Sequence, residues 1–190
     1  MEHRNNAVVK AICFEIRNIS RMKSILSCNS VKALVVSSVL SRLDYCNSLL
    51  AGITEEKILK LQRAQNCAAR LVLSKPRSES STSMLRTLHW LPVRARIEYK
   101  IAVLCYSTIQ TSMPSYLKDL LNSYVPPRVL RSQDSKLLIL PKSNLKTFGN
   151  RAFVVSGPLI WNSLPLSLKT AGSIAIFKRH LKTYLFNKYL

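Results

Sequence analysis

The chain has 190 residues, enough for one domain or two small ones with a buried core. It is 47% hydrophobic and 20% charged, which excludes an intrinsically disordered polymer, and 29 Lys+Arg against 9 Asp+Glu leave a net charge of +20. Self-repulsion on that scale is normally offset by a polyanionic partner, nucleic acid ahead of an anionic membrane.

In chain order, Val9, Ile12, Cys13, Ile16 and Ile19 recur at helical spacing over 6–26, with Lys10, Arg17 and Arg21 between them. Ser30 is positioned to cap a second helix, whose apolar stripe is Val31, Leu34, Val35, Val39, Leu43, Cys46 and Leu50 and which Gly52 stops. Thr54 caps a third helix. Glu55 and Glu56 lie in its first turn, Ile58, Leu61, Gln65, Ala68 and Val72 form its inner face, and Lys57, Lys60, Arg63 and Arg70 lie elsewhere around it. The segment 74–83, "SKPRSESSTS", reads as a loop. Pro92 opens a fourth helix with Val93, Ile97, Ile101, Leu104 and Thr108 on one face and Arg94, Arg96 and Lys100 elsewhere. Pro114 opens a short helix. Beyond "YVPPRVLRSQ" the character changes: "KLLILP" and "LKTF" read as short strands, "GPLIWNSLP" as a helical turn or two. Ser173 caps a last helix, with Ile174, Phe177, Leu181 and Leu185 inward and Lys178, Arg179 and Lys182 outward. A boundary falls at 121–122.

Charge is unevenly distributed. After Asp134 there is no acidic residue, while Lys136, Lys142, Lys146, Arg151, Lys169, Lys178, Arg179, Lys182 and Lys188 follow. The five cysteines, at 13, 28, 46, 67 and 105, are odd in number and lack any C-x-x-C spacing. That argues against a disulfide framework or a zinc module and for reduced thiols. No run approaches the roughly 18 apolar residues of a membrane span, and "MEHRNNAVVK" is too polar for a signal peptide. An intracellular location, nuclear or cytoplasmic, is expected, without membrane association.

Little points to catalysis. Convergent carboxylates with metal-ligand spacing are missing, so no catalytic residue, metal or cofactor is expected. Asp44 beside Cys46 suggests a nucleophile, but His3, His89 and His180 are all remote in sequence. Asp44 reads instead as the partner of Arg42 or of a neighbouring helix, Asn47 as a backbone ligand in a helix contact, and His89 as a packed side chain. The glycines, at 52, 149, 157 and 172, form no phosphate loop. Arg94, Arg96, Tyr99 and Lys100 combine cations for phosphate with a ring for a base, as in strand-binding proteins, or else form a solvated face with Tyr99 packed. Trp90 and Trp161 read as core anchors.

The ordered blocks "SRLDYCNSLL", "LQRAQNCAARLVL", "LHWLPVRARIEYKI", "PSYLKDLL", "FGNRAFVVSGPLIWNSLPLSLK" and "FKRHLKTYLF" resemble the C-terminal part of the reverse transcriptase polyprotein of non-LTR (LINE-type) retrotransposons, of the jockey and chicken-repeat sort. The resemblance spans essentially the whole chain. It implies thumb helices and a C-terminal extension that hold template and primer. The palm's paired aspartates, the N-terminal endonuclease and a closing zinc knuckle have no counterpart here, so a truncated element unable to polymerise alone is expected.

The expected fold is mainly α: a helical, thumb-like bundle over 1–121, then a small mixed segment over 122–190 with short strands and a terminal helix. The expected function is non-catalytic RNA or DNA binding through phosphate, without sequence specificity. Lys60, Arg63, Arg94, Arg96, Lys100, Lys178, Arg179 and Lys182 are the candidate phosphate contacts and Tyr99 the candidate stacking ring. A full-length reverse transcriptase is a further candidate partner; no small-molecule substrate is expected. The alternatives are a protein-interaction or assembly module and a relic without function.

Overall fold

The computed structural model describes residues 2–126, 136–142 and 149–190. They are mainly α-helical: α1 (Glu2–Met22), α2 (Cys28–Val35), α3 (Ser41–Asp44), α4 (Glu55–Leu73), α5 (Ser81–Leu88), α6 (Val93–Thr111), α7 (Ser115–Lys118), α8 (Phe153–Asn162), α9 (Leu166–Lys169) and α10 (Ile174–Tyr189). None is long and apolar enough to cross a membrane. The chain forms two compact units, one of residues 1–47, 53–96 and 188–190, the other of 48–52 and 97–187. The expected boundary at 121–122 therefore lies inside the second unit.

In the first unit α1 packs against α2 and α4, and α4 against α5. The expected inner face of α4 is buried throughout, and Ala64 and Ala69 beside it are nearly without exposure. Such small side chains let the backbones of neighbouring helices approach. From α1, Ile12 and Ile19 enter this core.

The second predicted helix differs in three respects. Its cap is Ser27, whose Oγ accepts from the Ser30 N–H at 3.1 Å, so the helix begins earlier than a Ser30 cap would allow. Between α2 and α3 the backbone widens into a π-helical turn, Val36–Leu40. There Ser37 and Ser38 both donate to the Leu34 carbonyl and Ser41 donates to that of Ser37, side-chain competition of the kind that loosens a helix. Finally, the helix ends well before Gly52: Tyr45 is extended and Cys46 has a φ of 51°. That break turns Cys46 outward instead of into the core, and Leu34 is also exposed. Helix α5 ends on His89 at a φ of 54°, with Trp90 N–H on the Leu85 carbonyl and His89 N–H on that of Arg86. This is the closure usually made by glycine.

The second unit centres on aromatic packing. Tyr106 of α6 stacks on Phe177 of α10 at 4.2 Å between centroids, and its hydroxyl donates to the Ala171 carbonyl at 2.6 Å. Trp161 is 2% exposed, as expected of a core anchor, and its indole N–H donates to the Lys136 carbonyl. Trp90, in the first unit, is also buried. Phe177, Leu181 and Leu185 are inward as expected, while Ile174 is exposed. Lys169 is buried and donates to the carbonyl of Asn162, the last residue of α8; burial lowers its pKa below the usual lysine range.

The short strands are not formed among the described residues. "KLLILP" contributes a single antiparallel bridge, Ser123 with Leu138. The missing neighbour is replaced by a side chain: Asn162 donates to the Leu138 carbonyl and accepts from its N–H, both at 2.9 Å. "LKTF" lies outside the described residues. Asn162→Ala should destabilise the protein by about 1–3 kcal/mol through two stranded backbone groups, measurable by urea denaturation.

Cys105 is wholly buried against Gly157, where an added Cβ would lie 3.2 Å from its sulfur, and burial pushes the thiol up to about 12. A thiol reagent at pH 8 should modify exposed Cys28, Cys46 and Cys67 in the native protein and reach Cys105 only after denaturation.

Candidate nucleic-acid interface

The polar cluster at 41–50 joins helices. Arg42 of α3 donates to the Ser38 carbonyl and pairs with Glu15 of α1 at 3.1 Å, not with Asp44. Asp44 pairs with Arg96 of α6 at 2.7 Å, and Asn47 donates to Asp44 at 3.4 Å. Asn47 is buried, consistent with its expected place in a helix contact.

Arg96 is thus part of the framework. Its side chain is 15% exposed, and Nε donates to the Leu91 carbonyl at 2.9 Å. The same carbonyl accepts from Gln65, and Gln62 of α4 accepts from the Val93 N–H at 2.8 Å. Arg94 pairs with Glu55 at the start of α4, and Lys60 pairs with Glu56 at 2.9 Å. The Lys60 ammonium lowers the pKa of the Glu56 carboxyl. Three of the candidate phosphate ligands therefore already face carboxylates.

The others differ. Arg63 is exposed on α4, and no ion pair is formed by it among the described residues. Lys100 is exposed in the second unit, and Tyr99 is half-buried there, with burial raising its pKa. A partly buried ring offers less face for stacking than an exposed one. Lys178, Arg179 and Lys182 lie together on little more than one turn of α10, all exposed, and none pairs with a carboxylate among the described residues. The structure thus brings this trio together and separates Arg94 and Arg96 in use from Tyr99 and Lys100.

Four residues on α1 were legible only through their spacing. Lys10, Phe14, Arg17 and Arg21 recur at the three- and four-residue intervals of one helix face, and all are exposed. Among the described residues no group of three His, Cys, Asp or Glu side chains is placed to hold a metal ion. No family model, no curated protein and no solved structure matches the chain.

Asp44→Ala should cost about 1–2 kcal/mol, because it leaves a mostly buried guanidinium without its counter-ion while the carboxylate itself is half exposed. Arg96→Ala should cost more, since it also removes a donor to Leu91. Urea denaturation of both, alongside nucleic-acid titrations, checks the assignment. Unchanged stability with weakened binding would transfer Arg96 from framework to interface.

Proposed function

We propose that this chain is a non-catalytic, basic, helical module that binds RNA or DNA through phosphate without sequence specificity. Its parentage would be the thumb and post-thumb part of a non-LTR retrotransposon reverse transcriptase. The observation that carries the reading is the α10 face. Lys178, Arg179 and Lys182 project into solvent from one short stretch, with no acidic residue anywhere in the sequence after Asp134. A solvated helix face normally mixes signs; one without carboxylates keeps its full attraction for a polyanion.

The mechanism is electrostatic. Each phosphate neutralised releases condensed counter-ions, which drives binding at low salt and weakens it steeply as salt rises. Lys178 and Lys182 are four residues apart, about 6 Å along the axis, and so face the same side of the helix. Arg179 adds a planar fork suited to two oxygens of one phosphate. Arg63 and Lys100 are the other exposed candidates, whereas Arg94, Arg96 and Lys60 are needed by carboxylates of the fold.

Replacing Lys178, Arg179 and Lys182 together by Ala should flatten the slope of log K against log[salt] by about two to three units on duplex DNA if all three touch phosphate. Arg94→Ala should leave the slope nearly unchanged. Fluorescence anisotropy at several salt concentrations checks both. Failure of the unaltered protein to bind RNA or DNA even at low salt would end this reading.

A further inference from the structure

Helix α1 turns Ile12 and Ile19 into the core. At about 100° per residue the opposite side of the same helix carries Lys10, Phe14, Arg17 and Arg21 within a narrow arc. All four are exposed, Phe14 at 60%. None of the three cations pairs with a carboxylate among the described residues, and Glu15, off this face, is held by Arg42. Alongside, Ala7, Val8 and Ala11 form one wall of a groove of about 540 Å³ whose other wall is Ser41, Arg42 and Tyr45. The small side chains of α1 keep this groove open.

We infer that the outer face of α1 is a second strand-binding surface, specific for single-stranded RNA or DNA: Lys10, Arg17 and Arg21 hold phosphates of one strand and Phe14 stacks on a base. Charge complementarity identifies the occupant, because the face is cationic along its length and centred on an exposed ring. From Lys10 to Arg17 the helix advances about 10 Å and from Arg17 to Arg21 about 6 Å, so the cations meet different phosphates. A ring flanked by cations is the arrangement that grips single strands, whose bases are free to stack. In a duplex those base faces are covered by their neighbours. The inference shares its ligand class with the proposed function but not its residues: α1 belongs to the first unit, the α10 trio to the second.

The test uses the whole chain, a fluorescein-labelled oligouridylate and a labelled mixed-sequence duplex, titrated at several salt concentrations. Phe14→Ala should weaken oligouridylate binding about five- to 150-fold with the salt slope preserved. Duplex affinity and melting temperature should stay unchanged, and Phe14→Trp should restore binding. Lys10→Ala, Arg17→Ala and Arg21→Ala combined should flatten the oligouridylate slope by about two units. Both effects should persist when the α10 trio is replaced. Wild-type affinity in Phe14→Ala, an equal loss on duplex, or a changed oligomeric state without a binding change would overturn the inference. If the α1 variants are silent while the α10 variant loses binding, this inference falls and the α10 reading stands. The reverse pattern sustains α1 and removes α10. If the unaltered protein binds neither probe, both fall.

Discussion

The turn joining α5 to α6 must satisfy backbone groups near the core without a cap of its own, because Pro92 occupies the position where a Ser or Asp would serve. Neighbouring helices supply the partners. Gln62 of α4 takes the Val93 N–H, and the Leu91 carbonyl receives both Gln65 of α4 and Arg96 of α6, each at 2.9 Å. Arg96 then continues to Asp44. Buried backbone donors and acceptors without partners are costly enough that such links fix geometry as firmly as apolar contact does. The orientation of α3, α4 and the first turn of α6 follows from this one chain of bonds.

The same network governs where charge remains available. Glu15, Asp44, Glu55, Glu56 and Glu79 each have a cationic partner. Apart from Asp44–Arg96, whose guanidinium is mostly buried, pairs this exposed contribute only about 0–1 kcal/mol each to stability. Their larger effect is on the surface potential. With these five carboxylates drawn into local pairs, the exposed cations on the outer faces of α1 and α10 keep their charge unopposed, part of a net charge of +20.

Sequence made the helices legible wherever periodicity was strong. The inner face of α4, the burial of both tryptophans and the outward trio on α10 follow from spacing. The Ser173 start follows from capping chemistry, its Oγ accepting from the Ile176 N–H; α4 also starts after Thr54, but without a side-chain cap bond. The failures share a cause: competition between alternatives that local pattern cannot rank. Ser27 and Ser30 are both cap residues by type, and Ser27 takes the position, its Oγ accepting from the Ser30 N–H. Serines at 37, 38 and 41 widen the helix, and the break at Tyr45 and Cys46, where the backbone leaves the helix, brings Cys46 to the surface. "KLLILP" has the composition of a strand but finds a side chain where a second strand would pair. Arg96 could not be told from Arg94 or Lys100 by charge, because its role depends on Asp44, distant in sequence and close in space.

The Asn162 amide bears on a hazard other than stability. A leucine- and isoleucine-rich segment such as 136–140 is the kind of sequence that recruits copies of itself into intermolecular β-sheet. Here Tyr124 N–H donates to the Leu137 carbonyl and Ile139 N–H to that of Asn122, which closes one side. Asn162 closes the other at Leu138. An amide side chain can imitate one residue of a neighbouring strand but cannot be extended, so it ends the ladder at the point where another molecule would begin one. In a chain this basic, repulsion between molecules keeps them apart only until a polyanion screens it. Blocking the edge with a side chain works equally well when the charge has been neutralised.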